Sequence, residues 1–235
     1  MIIELLLSLI VASTLIGIGV HFIPVGGAPA ALSTSAGVPT GAPMITIGMG
    51  VTGIISAVSL INQPDHLMIM AGAAGSMLMI AVVMFFSNII HVYGVGVPIS
   101  SSNYEKDPVT KVKQDDYVSP GTTGHGIPTI SFISGLMGSL LGGIGGSLAF
   151  TSLYRVFATQ LHYSTITNAT LSTILSLLLF FIVAVIASYN IGGTIQGFYD
   201  EKFRQKIIPG TISCFIVSIV LSLIYVFMIW GLIHG

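Results

Sequence analysis

Charge is nearly missing from this chain. Seven basic and eight acidic residues among 235 make 6%, where an ordinary soluble domain carries about a quarter. Such a chain cannot cover itself for water. A net charge of −1 also argues against electrostatic nucleic-acid binding, because too few Lys and Arg exist to neutralise several phosphates. Cysteine is reduced to Cys214, so there is no intrachain disulfide and no Cys-x-x-Cys metal pair. Motifs of autonomous catalysis are absent as well: no P-loop, no nucleophile elbow, no paired carboxylates and no cysteine-histidine cluster. The GGIGGS run at 142–147 follows no strand and lacks dinucleotide-binding spacing. No catalytic residue and no metal set is assigned.

What is present is apolar. Hydrophobic residues make up 53% of the chain and mean hydropathy is +0.97. Several runs approach the ~20 residues that cross ~30 Å of hydrocarbon. The expected fold is an all-α integral membrane protein, residues 1–235 forming a single polytopic domain with about six transmembrane helices. The spans fall at 2–22, 42–61, 67–90, 129–154, 170–191 and 207–233. The N-terminal MIIELLLSLIVAS lacks the basic start of a signal peptide and reads as a retained first span. Asn-Gln-Pro-Asp at 62–65 predicts a tight helical hairpin.

One polar stretch, 93–128, divides these spans three and three. It holds Glu105, Lys106, Asp107, Lys111, Lys113, Asp115 and Asp116, roughly half of all the charge. Six spans would put Lys106, Lys111, Lys113, Lys202, Arg204 and Lys206 on one side and Arg155 alone on the other. The positive-inside rule then makes the central loop cytoplasmic and both termini external. Within it Asp107–Pro108 predicts a turn. The Gly-Pro-rich end, with Pro120, Gly121, Gly124 and His125, is the candidate contact with a partner protein.

The connection after the first span, 23–41, has no charge but is interrupted by Pro24, Gly26, Gly27, Pro29, Gly37 and Pro39. This predicts a broken or re-entrant segment, tolerated where protein or a wet cavity surrounds it. If Pro29 opens a short helix, backbone N–H groups around Gly26, Gly27 and Ala28 would form a small anion site. The alternative is a plain packing element.

Span four carries Gly138, Gly142 and Gly146 beside Ser139, Gly143 and Ser147. Two adjacent stripes of small residues let two helices approach closely. Shorter versions are Ser13/Gly17, Gly48/Thr52/Ser56 and Gly72/Ser76. The odd-numbered spans end alike, in GVHFIPVGGAP, SNIIHVYGVGVP and ASYNIGGTIQG. That is either a worn internal repeat or ordinary glycine C-capping.

No Asp, Glu, Lys or Arg lies mid-span; Glu4 and Asp65 stand at ends. Carboxylates within the membrane usually mark proton relays and cation paths. A sodium path in this chain would therefore use neutral oxygens, with a partner supplying the charge. Ser87, Asn88, Ser188 and Asn190, with the Gly192–Gly193 break, are the candidates for ion path or coupling. Helix-to-helix hydrogen bonding is the plainer use of such groups. His21, His91 and His125 would share the cytoplasmic side, but without metal-ligand spacing. They read as interfacial histidines.

Four segments carry a family likeness: VHFIPVGGAPAA at 20–31, YGVG at 93–96, YVSPGTTGHGIPT at 117–129 and ASYNIGGTIQGFYDEKF at 187–203. In order and spacing the chain resembles the D-subunit family of tetrahydromethanopterin S-methyltransferase, a membrane complex of methanogenic archaea. The resemblance implies a non-catalytic membrane subunit of an enzyme complex. That complex moves a methyl group from methyltetrahydromethanopterin to coenzyme M through a corrinoid on another subunit, and couples the transfer to sodium export. It implies lipid and the multispan C and E subunits as partners, and no cofactor bound by this chain alone. It supplies no catalytic residue here. A stand-alone secondary transporter with inverted 3+3 repeats and a purely structural membrane subunit are the alternatives.

Overall fold

The computed structural model describes residues 1–23, 46–102, 104–116, 127–161, 163–188 and 207–234. Its long elements are all helical: α1 (Ile2–Phe22), α2 (Thr52–Val58), α3 (Asp65–Ile90), α4 (Pro128–Gln160), α5 (Thr165–Ser188) and α6 (Ile207–His234). A π-helical turn, Thr46–Val51, leads into α2, and another, His91–Val95, extends α3. Among the described residues five helices are long and apolar enough to cross a membrane. The second expected span, 42–61, appears as a shorter apolar helix over Gly48–Val58; residues 42–45 lie outside the described part.

Local chemistry sets the helix ends. α1 stops at Ile23, whose backbone is extended (φ −73°, ψ 130°), as steric crowding demands of a residue preceding proline. Pro128 opens α4, where its missing N–H costs nothing. Ser164 caps α5, its Oγ accepting from the Thr167 N–H at 3.2 Å. The α2–α3 turn closes where the Leu67 and Met68 N–H groups donate to Pro64 O at 2.9 and 3.2 Å.

α4, 33 residues long, is the axis of the bundle and packs against α1, α2, α3 and α5. In lipid no hydrophobic force pulls helices together, so close van der Waals contact must do so. Its glycines supply that contact. A Cβ on Gly145 would stand 2.5 Å from Ala12 O, and one on Gly138 2.6 Å from Gly19 O, both on α1. On the α3 side a Cβ on Gly143 would meet Gly72 O at 2.8 Å. The two stripes do serve different neighbours, with one change of register. Gly146 meets Phe180 of α5, and Gly145 takes the place beside α1.

Polar ties fix the two ends. Ser134 Oγ donates to Phe22 O at 2.7 Å, and Thr159 Oγ1 reaches Met1 Sδ at 3.9 Å. α1 and α4 are therefore antiparallel. Arg155 pairs with Asp65 at 2.5 Å, so the start of α1, the α2–α3 turn and the end of α4 share one end of the bundle. The central loop sits at the other, where Thr129 Oγ1 donates to Asp107 Oδ2 at 2.5 Å. Of the loop expected at 93–128, Tyr93–Val95 belongs to the π-helical turn and Pro128 to α4.

Candidate functional site

Among the described residues, the buried polar side chains around the middle of α4 are hydroxyls. Where the π-helical turn, α3 and α4 meet, Ser76 Oγ donates to Met49 O at 2.5 Å, across two helices. Ser147 Oγ donates to Gly143 O at 2.6 Å and lies 3.3 Å from Ile69 O of α3. Thr52 Oγ1 donates to Gly48 O, and Ser56 Oγ to Thr52 O at 2.7 Å. The wide π-helical turn displaces backbone carbonyls from regular pairing, a geometry common at functional sites, and Ser76 captures one of them. Met49 itself is fully buried against Gly142. Such a centre can accept hydrogen bonds or coordinate weakly, but it holds no acid, base or nucleophile.

The expected ion-path residues are only partly visible. Asn88 projects from an exposed face of α3. Ser87 lies one residue before it, and Ser188 ends α5; only the backbone of these two serines is described. α3 and α5 each pack on α4. Asn190, Gly192 and Gly193 lie outside the described residues. So do the anion-site candidates Gly26, Gly27 and Ala28, and the partner-contact candidates Pro120, Gly121, Gly124 and His125.

Among the described residues no group of three His, Cys, Asp or Glu stands ready for a metal ion. His21 is buried in the last turn of α1, with Nδ1 2.7 Å from Gly17 O. The side chain of His91 and all of His125 are outside the described part.

The loop carries the most elaborate polar geometry. Asp107 Oδ1 accepts from the N–H groups of Val109 at 2.7 Å and Thr110 at 3.0 Å. The Asp107 N–H donates to Val112 O at 2.9 Å, and Gln114 N–H to Glu105 O at 2.9 Å. This is the turn that Asp107–Pro108 predicts: an aspartate side chain folds back on the backbone two residues ahead. Burial works to raise the Asp107 carboxyl. The hydrogen bonds from Thr129 and from the Thr110 and Val109 N–H groups outweigh it and hold the group below its ordinary 3.8. Lys111 completes the turn in the left-handed region, at φ 63°.

Sequence reasoning names Ser76 only as part of a small-residue stripe; its bond to Met49 has no sequence signal, because nothing local marks a π-helical turn. The Asp107–Thr129 tie is equally silent, being a contact between side chains 22 residues apart.

The family model for the D subunit of tetrahydromethanopterin S-methyltransferase matches residues 2–218. The D subunit of that enzyme from Methanothermobacter thermautotrophicus is 49% identical over 217 residues, 92% of each chain. That of Methanopyrus kandleri is 44% identical over 223 residues, covering 94% of this chain and 95% of the relative. That of Methanocaldococcus jannaschii is 43% identical over 230 residues, covering 95% and 96%. With likeness of this depth over nearly its whole length, the chain belongs to the D-subunit family of tetrahydromethanopterin S-methyltransferase.

Proposed function

We propose that this chain serves as a non-catalytic membrane subunit that couples methyl transfer to sodium export. In this reading other subunits of the complex carry a methyl group from methyltetrahydromethanopterin to coenzyme M by way of a corrinoid. The multispan C and E subunits are its neighbours in the membrane. The central loop is cytoplasmic and the start of α1 external, in keeping with the basic residues of the loop and their place opposite Met1. The six-span, 3+3 arrangement belongs to the same proposal.

One observation carries it: a bundle whose interior presents hydroxyls and carbonyls but no carboxylate among the described residues, in a chain of this family. Neutral oxygens line or brace a cation path, and the charged ligand comes from a partner. Coupling requires an element whose two arrangements respond to both the methylation state and sodium. The cytoplasmic ends of α1, α3 and α5, with Ser87, Asn88, Ser188, Asn190, Gly192 and Gly193, are assigned that role. The test is sodium-dependent methyl transfer and sodium flux in liposomes containing the assembled complex. Asn190→Ala and Gly193→Leu should reduce flux per methyl transferred; unchanged coupling in both variants would discard the assignment.

The close backbone approach of α4 to α1 and α3 favours a second reading, a structural subunit that packs a partner's ion path. There, substitutions lining this bundle would change assembly but not the ratio of sodium moved to methyl transferred.

A further inference from the structure

The turn at 105–114 is built as a small antiparallel ladder. Asp107 N–H donates to Val112 O and Gln114 N–H to Glu105 O, each at 2.9 Å. Between these two bonds Lys106 and Lys113 stand directly opposite one another in an antiparallel bridge. A pair flanked by ladder bonds, rather than joined by its own, is the closer of the two antiparallel kinds, with Cα atoms about 4.5 Å apart. Both lysine side chains leave the ladder on one face. Asp107 and Gln114 turn to the other face and are buried, at 2% and 7% exposure, whereas both lysines are exposed.

Like charges in this position destabilise a ladder, and the chain does not offset them. Neither lysine is in an ion pair among the described residues. Glu105 alternates to the face of Asp107, and Asp115, which shares the lysine face, pairs with neither lysine. Lys111, the third base of the turn, is engaged within it, its Nζ donating to Pro108 O at 2.7 Å. The ladder is also held in this form. Asp107 Oδ1 accepts from the Val109 and Thr110 N–H groups, and its Oδ2 from Thr129 Oγ1. Two lysines fixed side by side in water, without a carboxylate between them, fit an anion from outside the chain.

The tie to Thr129 sets the height of the pair. Thr129 is the second residue of α4, whose 33 residues make about 50 Å. A bilayer with its headgroups measures about 40–45 Å, and membrane helices tilt by about 20°. The start of α4 therefore emerges at the headgroups, and the lysines stand at the level of lipid phosphates.

We propose that Lys106 and Lys113 form a clamp for a phosphate-type oxyanion. An ammonium is a compact charge with three donors that rotate toward an acceptor. Two of them side by side can donate to different oxygens of one phosphate, in short charge-assisted bonds. The height of the pair favours a lipid headgroup as the source over phosphate free in water.

The test is amine acylation of the assembled complex, read lysine by lysine in a mass spectrometer, in bilayer discs of three kinds. One is an uncharged, phosphate-free glycolipid, and the second is that glycolipid mixed with phosphatidylglycerol. The third is the glycolipid with inorganic phosphate replacing chloride at equal ionic strength. With phosphatidylglycerol, Lys106 and Lys113 should react roughly fivefold more slowly than in glycolipid alone, the factor that about 1 kcal/mol per lysine at an anionic surface corresponds to. Lys111 should change less. Slowing with the lipid alone identifies a headgroup, and slowing with inorganic phosphate as well identifies a free oxyanion as sufficient. Lys113→Gln should restore most of the reactivity of Lys106. The proposal is overturned by an unchanged pair in both anionic arms, by slowing that Lys111 shares equally, or by protection of Lys106 that survives Lys113→Gln. Lysines unreactive in every disc, as under a partner protein, overturn it as well.

Discussion

Ser76 Oγ and the carbonyl oxygen of Met49 meet at 2.5 Å, joining α3 to the π-helical turn that precedes α2. The bond spans 27 residues of sequence and lies beside the glycine faces of α4. Ser76→Ala removes it and leaves the carbonyl without this donor. The expected loss is about 1 kcal/mol, read as a lower midpoint of denaturation for the purified complex. Ser76→Val should cost more, since Gly53 and Gly143 already stand against this side chain.

The described glycines divide into those with a neighbour and those without. A Cβ on Gly145 or Gly138 would press backbone oxygens of α1 at 2.5 and 2.6 Å, which no side-chain rotation relieves. Gly145→Ala and Gly138→Ala should each cost about 1–3 kcal/mol, seen as reduced yield of assembled complex. Gly231 meets nothing within 4 Å. Gly231→Ala is the control, neutral or stabilising by up to ~1 kcal/mol through helix propensity.

Asp107 ties the loop to the start of α4, and its carboxyl is held below the ordinary value. A depressed carboxylate contributes stability that is present above the unfolded-state value near 3.8 and is lost as pH falls through the lower folded-state value. The loop should thus keep its form throughout the neutral range and lose it only in strong acid. Asp107→Asn weakens these bonds at every pH. Limited proteolysis at Lys111 and Lys113 should be faster in that variant than in wild type at pH 7, where the wild-type carboxyl is ionised. Equal rates at pH 7 would contradict the tie.

Lys111 occupies φ 63°, a conformation that costs a residue with a Cβ about 1–2 kcal/mol. Lys111→Gly should slow cleavage at Lys113, because relief of the strain outweighs loss of the exposed bond from Lys111 Nζ to Pro108 O at 2.7 Å. Lys111→Ala removes that bond while keeping the strain, so cleavage at Lys113 should speed up. The order of cleavage rates, glycine slowest and alanine fastest, is the measurement.

Hydropathy and proline make much of this fold legible from sequence. α1 has the expected bounds, and α6 departs by one residue, at His234. Asp107–Pro108 does turn the loop, because an Asx turn is encoded within three residues. Hydropathy is a poorer guide to helix length. α4 runs on past 154 through Arg155 and Thr159 to Gln160, polar residues that continue a helix without being apolar. Around α2 the limit is of another kind. An apolar run at 42–61 suggests a full span, but apolarity does not report helical winding, and its described part holds a π-helical turn and a short helix. Small residues at 138–147 announce close packing, but not which neighbour each meets, since that depends on how helices distant in sequence are arranged around α4. The ion-path candidates rest on polar residues beside glycine, and of them only Asn88 is visible as a complete side chain, on an exposed face.

The length of α4 has a mechanical consequence. Thirty-three residues at 1.5 Å each make a rod of about 50 Å, against ~30 Å of hydrocarbon. Tilt alone, within the ~40° limit seen for membrane helices, cannot hide the excess, so the rod projects beyond the hydrocarbon core. One projecting end is tied to Asp107 and the other to Asp65. For a straight rod pivoting at mid-membrane, a rotation of about 5° carries each end roughly 2 Å, in opposite directions. A small push on the loop side would therefore arrive at the far side as a displacement of equal size, delivered to the α2–α3 turn through the Arg155–Asp65 pair.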